Sequence, residues 1–498
     1  MAEAAIKQES SPGFEQGADD FAALLQKEFK PINEIRQRNI ERSVQTLAQQ
    51  ALELTGATVI SEDVFATVDA IKAALDRKLT EQVNQIIHNQ EFQQLESAWR
   101  GLQYLVNSSP TGKDLKIRVM NVSKDEIRKM LRQYKDVAWD QSPLFKRIYE
   151  AEFGQLGGQP YGTFVCDYYF DHSPTDIDIM KGLSKIGAAA HAPFIAGTAP
   201  SILGMASWQE LSNPRDIAKA FDALEYGAWR SLRESTDSRY LALTMPRFLG
   251  RQLYGSQGEP VEEFAFEEDT GGGKHDHHLW VNASYAMAAR ITDAFKTYGW
   301  CTRIRGVESG GTVEGLPTAM FPTDEGGLDA KCPTEIAISD RREAELSAAG
   351  FVALVHRKNT DKATFIGGQT VHQPAKYDNP AATANANLSA RLPYIFAASR
   401  FAHYLKCIVR DWVGGNREGP QLQRDLTNWI MQYVDAQPES SSEETKARKP
   451  LKDVKIEILP DEENPGAYKG KFMFVPHYQM EKMDIALSMV SRLPGPKS

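Results

Sequence analysis

Cysteine is scarce in this chain: Cys166, Cys301, Cys332 and Cys407 are the only four in 498 residues, each far from the next. With no CxxC pair there is neither a disulfide framework nor a structural zinc motif, and four reduced, mostly buried thiols are expected. Basic excess is also missing. The 57 Lys and Arg face 66 Asp and Glu, a net charge of −9, which argues against non-specific nucleic-acid binding. No long apolar run is available for a membrane span. The best candidate, residues 186–206, is interrupted by His191, Pro193, Pro200 and three glycines. A span needs about 20 residues whose backbone groups all pair within the helix, so a short helix followed by a buried strand is expected instead. The opening MAEAAIKQESSPG has no basic stretch leading into an apolar one, and no secretory signal is expected there.

The usual catalytic motifs are missing too. No GxxxxGK[ST], strand-borne GxGxxG, GxSxG or HExxH is found, and the GGGK at residues 271–274 lacks the spacing of a phosphate cradle. His275, His277 and His278 are the one cluster with metal-like composition. Three glycines precede them, and a metal site needs rigidly held ligands with second-shell support, so the expectation is a flexible loop without a cofactor. A metal-dependent enzyme built on these histidines remains an alternative. His191 and His403 lie in apolar surroundings and read as core histidines.

What is present is an ordinary globular composition, 42% hydrophobic and 25% charged, on a chain long enough for two or three domains. Residues 1–18 are small and polar. Residues 19–29 then form an island of amphipathic helix, with Phe21, Leu24, Leu25 and Phe29 on one stripe and Pro31 to end it. Helices are expected over 35–54, 64–79 and 85–106, the last burying Ile86, Leu95, Trp99, Leu102 and Leu105. Residues 115–122 alternate as a strand, and Ser123 with Glu126 has capping-box spacing for a helix over 126–134. Strands at 163–170, 240–245 and 301–307 then alternate with helices at 177–190, 216–233 and 283–298, which predicts an α/β core. A glycine- and acid-rich loop covers 255–273. The Ala-rich stretch 379–414 should be helical with Pro393 at a break, and Leu422, Leu426, Trp429, Ile430 and Tyr433 form another apolar stripe. A polar linker at 438–450 leads to a hairpin in which Val454, Ile456 and Ile458 answer Phe472 and Phe474. Residues 484–490 could be a strand or a short helix.

The stretch PTEIAISDRREAELSAAGFVALVHRK, residues 333–358, joins an alternating strand, a charged helix that Asp340 would cap and Gly350 would close, and a second apolar strand. Asp340, Arg341, Arg342 and Glu343 at its corner read as capping and salt-bridging charges, within the subunit or to a neighbour. With LWVNASYAMAARITDAFKTYGWCTRIRGVESGG (279–311), LSARLPYIFAASRFAHYLK (388–406), FQQLESAWRGLQYL (92–105), AAAHAPFI (188–195) and YLALTMPRFL (240–249), it resembles the large sheath subunit of bacterial type VI secretion systems, the VipB/TssC/EvpB-like family.

That resemblance implies a multi-domain, contractile tail-sheath-like α/β (mixed α+β) fold with a helical N-terminal region and a C-terminal β-hairpin. The corresponding division is 1–60, 61–278, 279–436 and 437–498. It also implies a structural protein and not an enzyme, acting in the bacterial cytoplasm as a membrane-docked assembly without itself entering the membrane. The implied partners are the small sheath subunit (VipA/TssB-like), further copies of the chain, an Hcp-type inner tube, a baseplate and a ClpV-type AAA+ ATPase. The stripe Phe21, Leu24, Leu25 and Phe29 would be read by that ATPase, and the strands bearing Val454, Ile456, Ile458, Phe472 and Phe474 would mesh with neighbouring subunits. A phage-like contractile particle, or a soluble adaptor that uses its N-terminal helix, are the alternatives.

Overall fold

The structure, a computed structural model, describes Arg38, Arg42 and residues 64–479 apart from 213–215, 257, 271–273, 323–327, 462–466 and 478. It divides into two compact units that interleave along the chain. The first draws on residues up to Arg100, Leu249–Val281 and Pro317–Pro333, and the second comprises Gly101–Phe248, Asn282–Leu316 and Thr334–Ser498.

The second unit is built on a six-stranded mixed sheet. In chain order its strands are β1 (Phe164–Phe170), β2 (Phe194–Thr198), β3 (Leu241–Met245), β4 (Thr312–Val313), β5 (Phe351–His356) and β6 (Ala363–Phe365). They lie in the order β1-β2-β3-β5-β6-β4, the first four parallel and the last two added antiparallel. β2 and β3 are buried along their whole length, as a parallel sheet covered by helices requires. The helix between β1 and β2, Pro174–Ala190, starts at the Ser173 cap and buries Ile177, Ile179, Met180, Leu183 and Ile186. It ends at His191 in the left-handed region, and β2 follows at once, so residues 186–206 form helix then strand as expected.

A second helix, Ala283–Tyr298, is capped by Asn282, whose amide also reaches the Tyr168 carbonyl of β1 at 3.3 Å. Gly197 of β2 permits this approach, because a Cβ there would stand 2.7 Å from the Asn282 amide. The expected capping box is present: Ser123 accepts from Glu126 N and the Glu126 carboxylate accepts from Ser123 N, opening the helix Lys124–Gln133. Pro393 sits in the first turn of Leu392–Trp412, after the separate helix Pro380–Ser389.

Several expected elements differ. Residues 115–122 and 301–307 are extended or turned without ladder pairing. Residues 216–233 form three short pieces because the Arg230 guanidinium donates to the Phe221 and Ala223 carbonyls, drawing them out of a continuous helix. The polar linker at 438–450 contains the helix Glu443–Arg448, capped by Ser442 and burying Ala447. At residues 334–338 the expected strand is a single bridge, Thr334 to Phe248. Glu335 is buried because Arg247 grips it through two hydrogen bonds of 2.9 and 2.6 Å. The following helix, Asp340–Ala348, has Ser339 at its cap position with no side-chain bond, so Asp340 lies in the first turn instead of capping it. Gly350 then takes a positive φ of 94°, where a Cβ would also press on the Val371 carbonyl.

In the first unit, α1 (Val64–Ile87) and α2 (Gln90–Ser108) follow one another, the division between units falling within α2. Their polar side chains meet the strand-poor segment 265–280 in ascending order. Thr80 bonds the Ala265 carbonyl, Asn84 that of Glu267, Gln93 that of Asp276 and Ser97 that of Trp280. The two helices therefore run on in one direction as a bent rod. The contact face is small and polar, with Ala74, Asn84 and Ser97 as its buried residues. The side chains expected inside are outside: Ile86, Leu95 and Trp99 are 55%, 57% and 66% exposed, whereas Leu105, in the second unit, is buried.

Candidate functional site

The hairpin is the best-defined of the expected sites. β7 (Leu451–Pro460) and β8 (Tyr468–Pro476) pair antiparallel, with Val454 opposite Phe474, Ile456 opposite Phe472 and Ile458 opposite Gly470. Period-two alternation puts the five singled-out side chains on one face, against Trp300, Phe401, Leu405 and the Leu426/Ile430 stripe of the helix Gly419–Met431. Phe474 stacks on Phe401 at 5.5 Å. These side chains anchor the hairpin to its own unit, so another strand could be received only through backbone at an edge.

The two edges are not equivalent. On β7, Leu451 N donates to Tyr433 O and Asp435 N donates to Leu451 O, while Ile458 N donates to the Gln423 side chain at 3.4 Å. Both ends of that edge thus already hold partners from the same chain. β8 lies at the other side of the two-stranded sheet, and its first four residues are exposed. A groove of about 900 Å³ lies between the Gly419–Met431 helix and the hairpin, lined by Glu418, Arg424, Thr427, Asn428, Ile458 and Tyr468 among others.

At the helix Asp340–Ala348, Arg341 and Arg342 both pair with Glu345, at 3.0 and 2.8 Å. Glu343 is buried, which raises its pKa, and the positive charges of Arg305 and Arg391 only partly offset that. Asp340 is exposed in the first turn. Phe21, Leu24, Leu25 and Phe29 lie outside the described residues, as does 484–490.

The three loop histidines are structured but diverge. His275 stacks on Trp280, His277 stacks on His88 at 4.3 Å, and His278 is buried with Nδ1 at 3.0 Å from the Lys274 carbonyl. Burial, then the nearby Lys331 charge, push the His278 pKa down to about 4. Among the described residues no group of three His, Cys, Asp or Glu is arranged to hold a metal ion. His403 fits its core reading: Nε2 lies 2.8 Å from the Ala190 carbonyl, and burial lowers its pKa to about 4. None of the cysteines forms a disulfide, and burial pushes the Cys166 and Cys301 thiols up to about 12, leaving them protonated. Among the described residues no helix is long and apolar enough to cross a membrane.

One group escaped the sequence reading. In the first unit, buried Arg251 holds Glu268 through contacts of 2.6 and 3.0 Å and Glu96 at 2.8 Å. Glu268 also accepts from Tyr254 N, Glu96 pairs with Arg100, and His88 lies 3.4 Å from Glu268. Burial disfavours the Arg251 charge, but the two carboxylates outweigh it and its pKa is raised. Residues 96, 251 and 268 share no motif spacing, so no local signal announced them.

Two family descriptions match the chain: the EvpB/VC_A0108 tail sheath N-terminal domain over residues 69–372 and the EvpB/VC_A0108 tail sheath gpW/gp25-like domain over 381–493. The type VI secretion system sheath protein TssC1 of Pseudomonas aeruginosa is 58% identical over 478 residues, 96% of each chain. Looser overlays reach solved structures of the anti-feeding prophage. Its baseplate aligns at a TM-score of 0.35 and 10% identity, covering 64% of this chain and 66% of that one. Its contracted helical sheath aligns at 0.31 and 10%, covering 64% and 68%. Sequence motifs, both domain matches and the full-length relative agree, and the chain belongs to the VipB/EvpB family of type VI secretion tail sheath proteins.

Proposed function

We propose that this chain works as a structural, non-enzymatic subunit that pairs with the small sheath subunit and polymerises into a helical tube around an Hcp-type inner tube. Contraction of that cytoplasmic, membrane-docked tube, a switch between two packings of the same subunits, drives the inner tube and its effectors outward from a baseplate. The observation that carries this reading is the unequal hairpin, with β7 held at both ends by its own chain and β8 at the rim. A neighbour's strand adds to β8, and each new backbone hydrogen bond contributes about 0.5–1.5 kcal/mol. Repeated through a lattice, such bonds tie protomers together while they slide. The segment around Phe21, Leu24, Leu25 and Phe29 serves as the ATPase's handle, captured as a helix in a groove. Within this scheme, 1–60 is the recycling arm, 61–278 and 279–436 form the sheath body, and 437–498 is the meshing segment. The charges at Asp340, Arg341, Arg342 and Glu343 serve that body internally or at a neighbour.

The test is co-expression with the small subunit and electron microscopy of the high-speed pellet. Tubes are expected from the full chain and none after removal of residues 453–498. A complex that never pellets would return the soluble-adaptor reading, and normal tubes from the truncation would remove the meshing role. Charged substitutions at Leu24 and Leu25 should spare the tubes and weaken ATPase capture in a pull-down.

A further inference from the structure

The bend between α1 and α2 rests on a pair of histidines. Ile87 ends α1 and Gln90 begins α2, and Asn89 caps the second helix by accepting from Glu91 N and Phe92 N. His88, the other residue of the bend, reaches the 265–280 segment. Its ring stacks on His277 at 4.3 Å, and its Nε2 lies 3.4 Å from the Glu268 carboxylate. His277 is fixed in turn: its Nδ1 donates to the Asp269 carbonyl at 2.7 Å. Both rings are half-buried.

Charge around this stack is already balanced. Arg251 and Arg100 face the carboxylates of Glu268 and Glu96, two positive groups to two negative ones. From Gln82 to Ile87 α1 has no charged side chain, while Asp269, Lys274 and Asp276 flank His277 in sequence. One proton on the stack is surplus, although Glu268 eases it. Two protons would set like charges face to face at 4.3 Å. Burial, then the His277 charge, push His88 below its ordinary pKa of 6.5, and Glu268 only partly restores it. Rings freed from the stack escape both penalties and take up protons near pH 6.5. The stack's contribution is therefore complete above pH 6.5 and is lost as pH falls.

The two helices differ in what else holds them. On α2, Glu96 pairs with Arg251 and Ser97 donates to the Trp280 carbonyl. Among the described residues α1 meets the segment through neutral hydrogen bonds, Asn84 with the Glu267 carbonyl and Asp269 N, and Thr80 with the Ala265 carbonyl at 3.5 Å. We propose that the His88–His277 stack is a pH-sensitive clamp at the bend of the rod. Neutral rings fasten α1 to the 265–280 segment, and protonation of both releases α1 while α2 keeps its ion pairs. Whatever residues 1–63 bind, the helix that joins them to the unit is then firm at neutral pH and loose in acid.

Hydrogen exchange of the full chain at pH 7.5 and 5.5, corrected for intrinsic rates, tests this. Protection over residues 64–88 should fall about three- to tenfold, the upper figure being that for one proton excluded from a closed state whose open form titrates near 6.5. Residues 90–100 and the strands β2 and β3 should keep their protection. His88→Phe, which can stack but binds no proton, should abolish the fall. His277→Gln, which can still donate to the Asp269 carbonyl, should reduce it to roughly half or less. A wild-type chain equally protected at both pH values, or the same fall in both variants, would overturn the inference. Equal losses over 64–88 and 90–100 would overturn it too, because the unit would then be loosening as a whole and not at the bend.

Discussion

The helix Pro174–Ala190 of the second unit and the α1–α2 rod of the first carry comparable apolar content and opposite exposure. In the former, Ile177, Ile179, Met180, Leu183 and Ile186 all turn inward and are at most 2% exposed. In the latter, Leu95 and Trp99 turn outward while Ser97 and Asn84 hold the chain's own backbone. A helical apolar stripe records that a face needs cover; it does not record which chain supplies it. The second unit closes its core with its own sheet, whereas among the described residues the rod meets the rest of the first unit through hydrogen bonds and ions, and its apolar stripe stays exposed.

The largest effect that tests this contrast is expected at Glu268. Its carboxylate is fully enclosed and holds Arg251 by two contacts, so Glu268→Gln leaves a buried guanidinium half-matched, at a cost of about 3–5 kcal/mol. Hydrogen exchange should rise across residues 249–281 and the rod while the sheet stays protected. Uniform exchange over both units would show that the first has no separate means of support. Next comes Leu183→Ala, which should lower unfolding stability by about 2–5 kcal/mol in denaturant titration. Trp99→Ala removes a larger side chain from the first unit, yet should stay within about 0.5 kcal/mol in the isolated chain. Equal losses at the two positions would break the comparison outright.

Each unit also contains a deeply buried histidine whose pKa is lowered to about 4, so acid probes both. Burial lowers His278 and His403 from 6.5 to about 4, meaning that the unfolded chain binds protons more readily than the folded one. The neutral-state stability is complete above pH 6.5 and is lost as pH falls towards 4, by up to about 1.4 kcal/mol per pH unit per group. His278→Gln and His403→Gln should each flatten the slope of melting temperature between pH 6.5 and 4. Local exchange should assign the first change to residues 249–281 and the second to the neighbourhood of Ala190.

Legibility followed the range of the determining interaction. The Ser123–Glu126 box, the Asn282-started helix and the break at Pro393 were readable because each is settled within a few residues. The 334–338 strand was misread because Glu335 is turned inward by Arg247, 88 residues earlier. The 216–233 helix was misread because Arg230 reaches back to two carbonyls that a continuous helix would have used. The Arg251 cluster was invisible for the same reason, its carboxylates coming from positions 96 and 268. Of the expected assembly residues, the hairpin set lay correctly on one face. That this face is the inward one could not be seen without Trp300 and the two helices that bring Phe401 and Leu426 beneath it.

The smallest expected effect is at Ser123, where the helix Lys124–Gln133 behaves more like the rod than like its own unit. Its apolar stripe is short: Ile127 is its one fully buried residue and Met130 and Leu131 pack half-buried on the core, so only a modest apolar area fixes it in place. Its N-terminus is held instead by the reciprocal bonds of Ser123 and Glu126, and by Lys124, which reaches Asp176 at 2.6 Å and the Tyr169 carbonyl. Ser123→Ala removes one acceptor for an otherwise unpaired N–H and should cost about 1 kcal/mol in denaturant titration. Ser123→Asp keeps the acceptor and should recover most of that. A loss as large as that of Leu183→Ala would mean that capping, and not apolar burial, holds this corner of the second unit, and the contrast between the two units would then be one of degree.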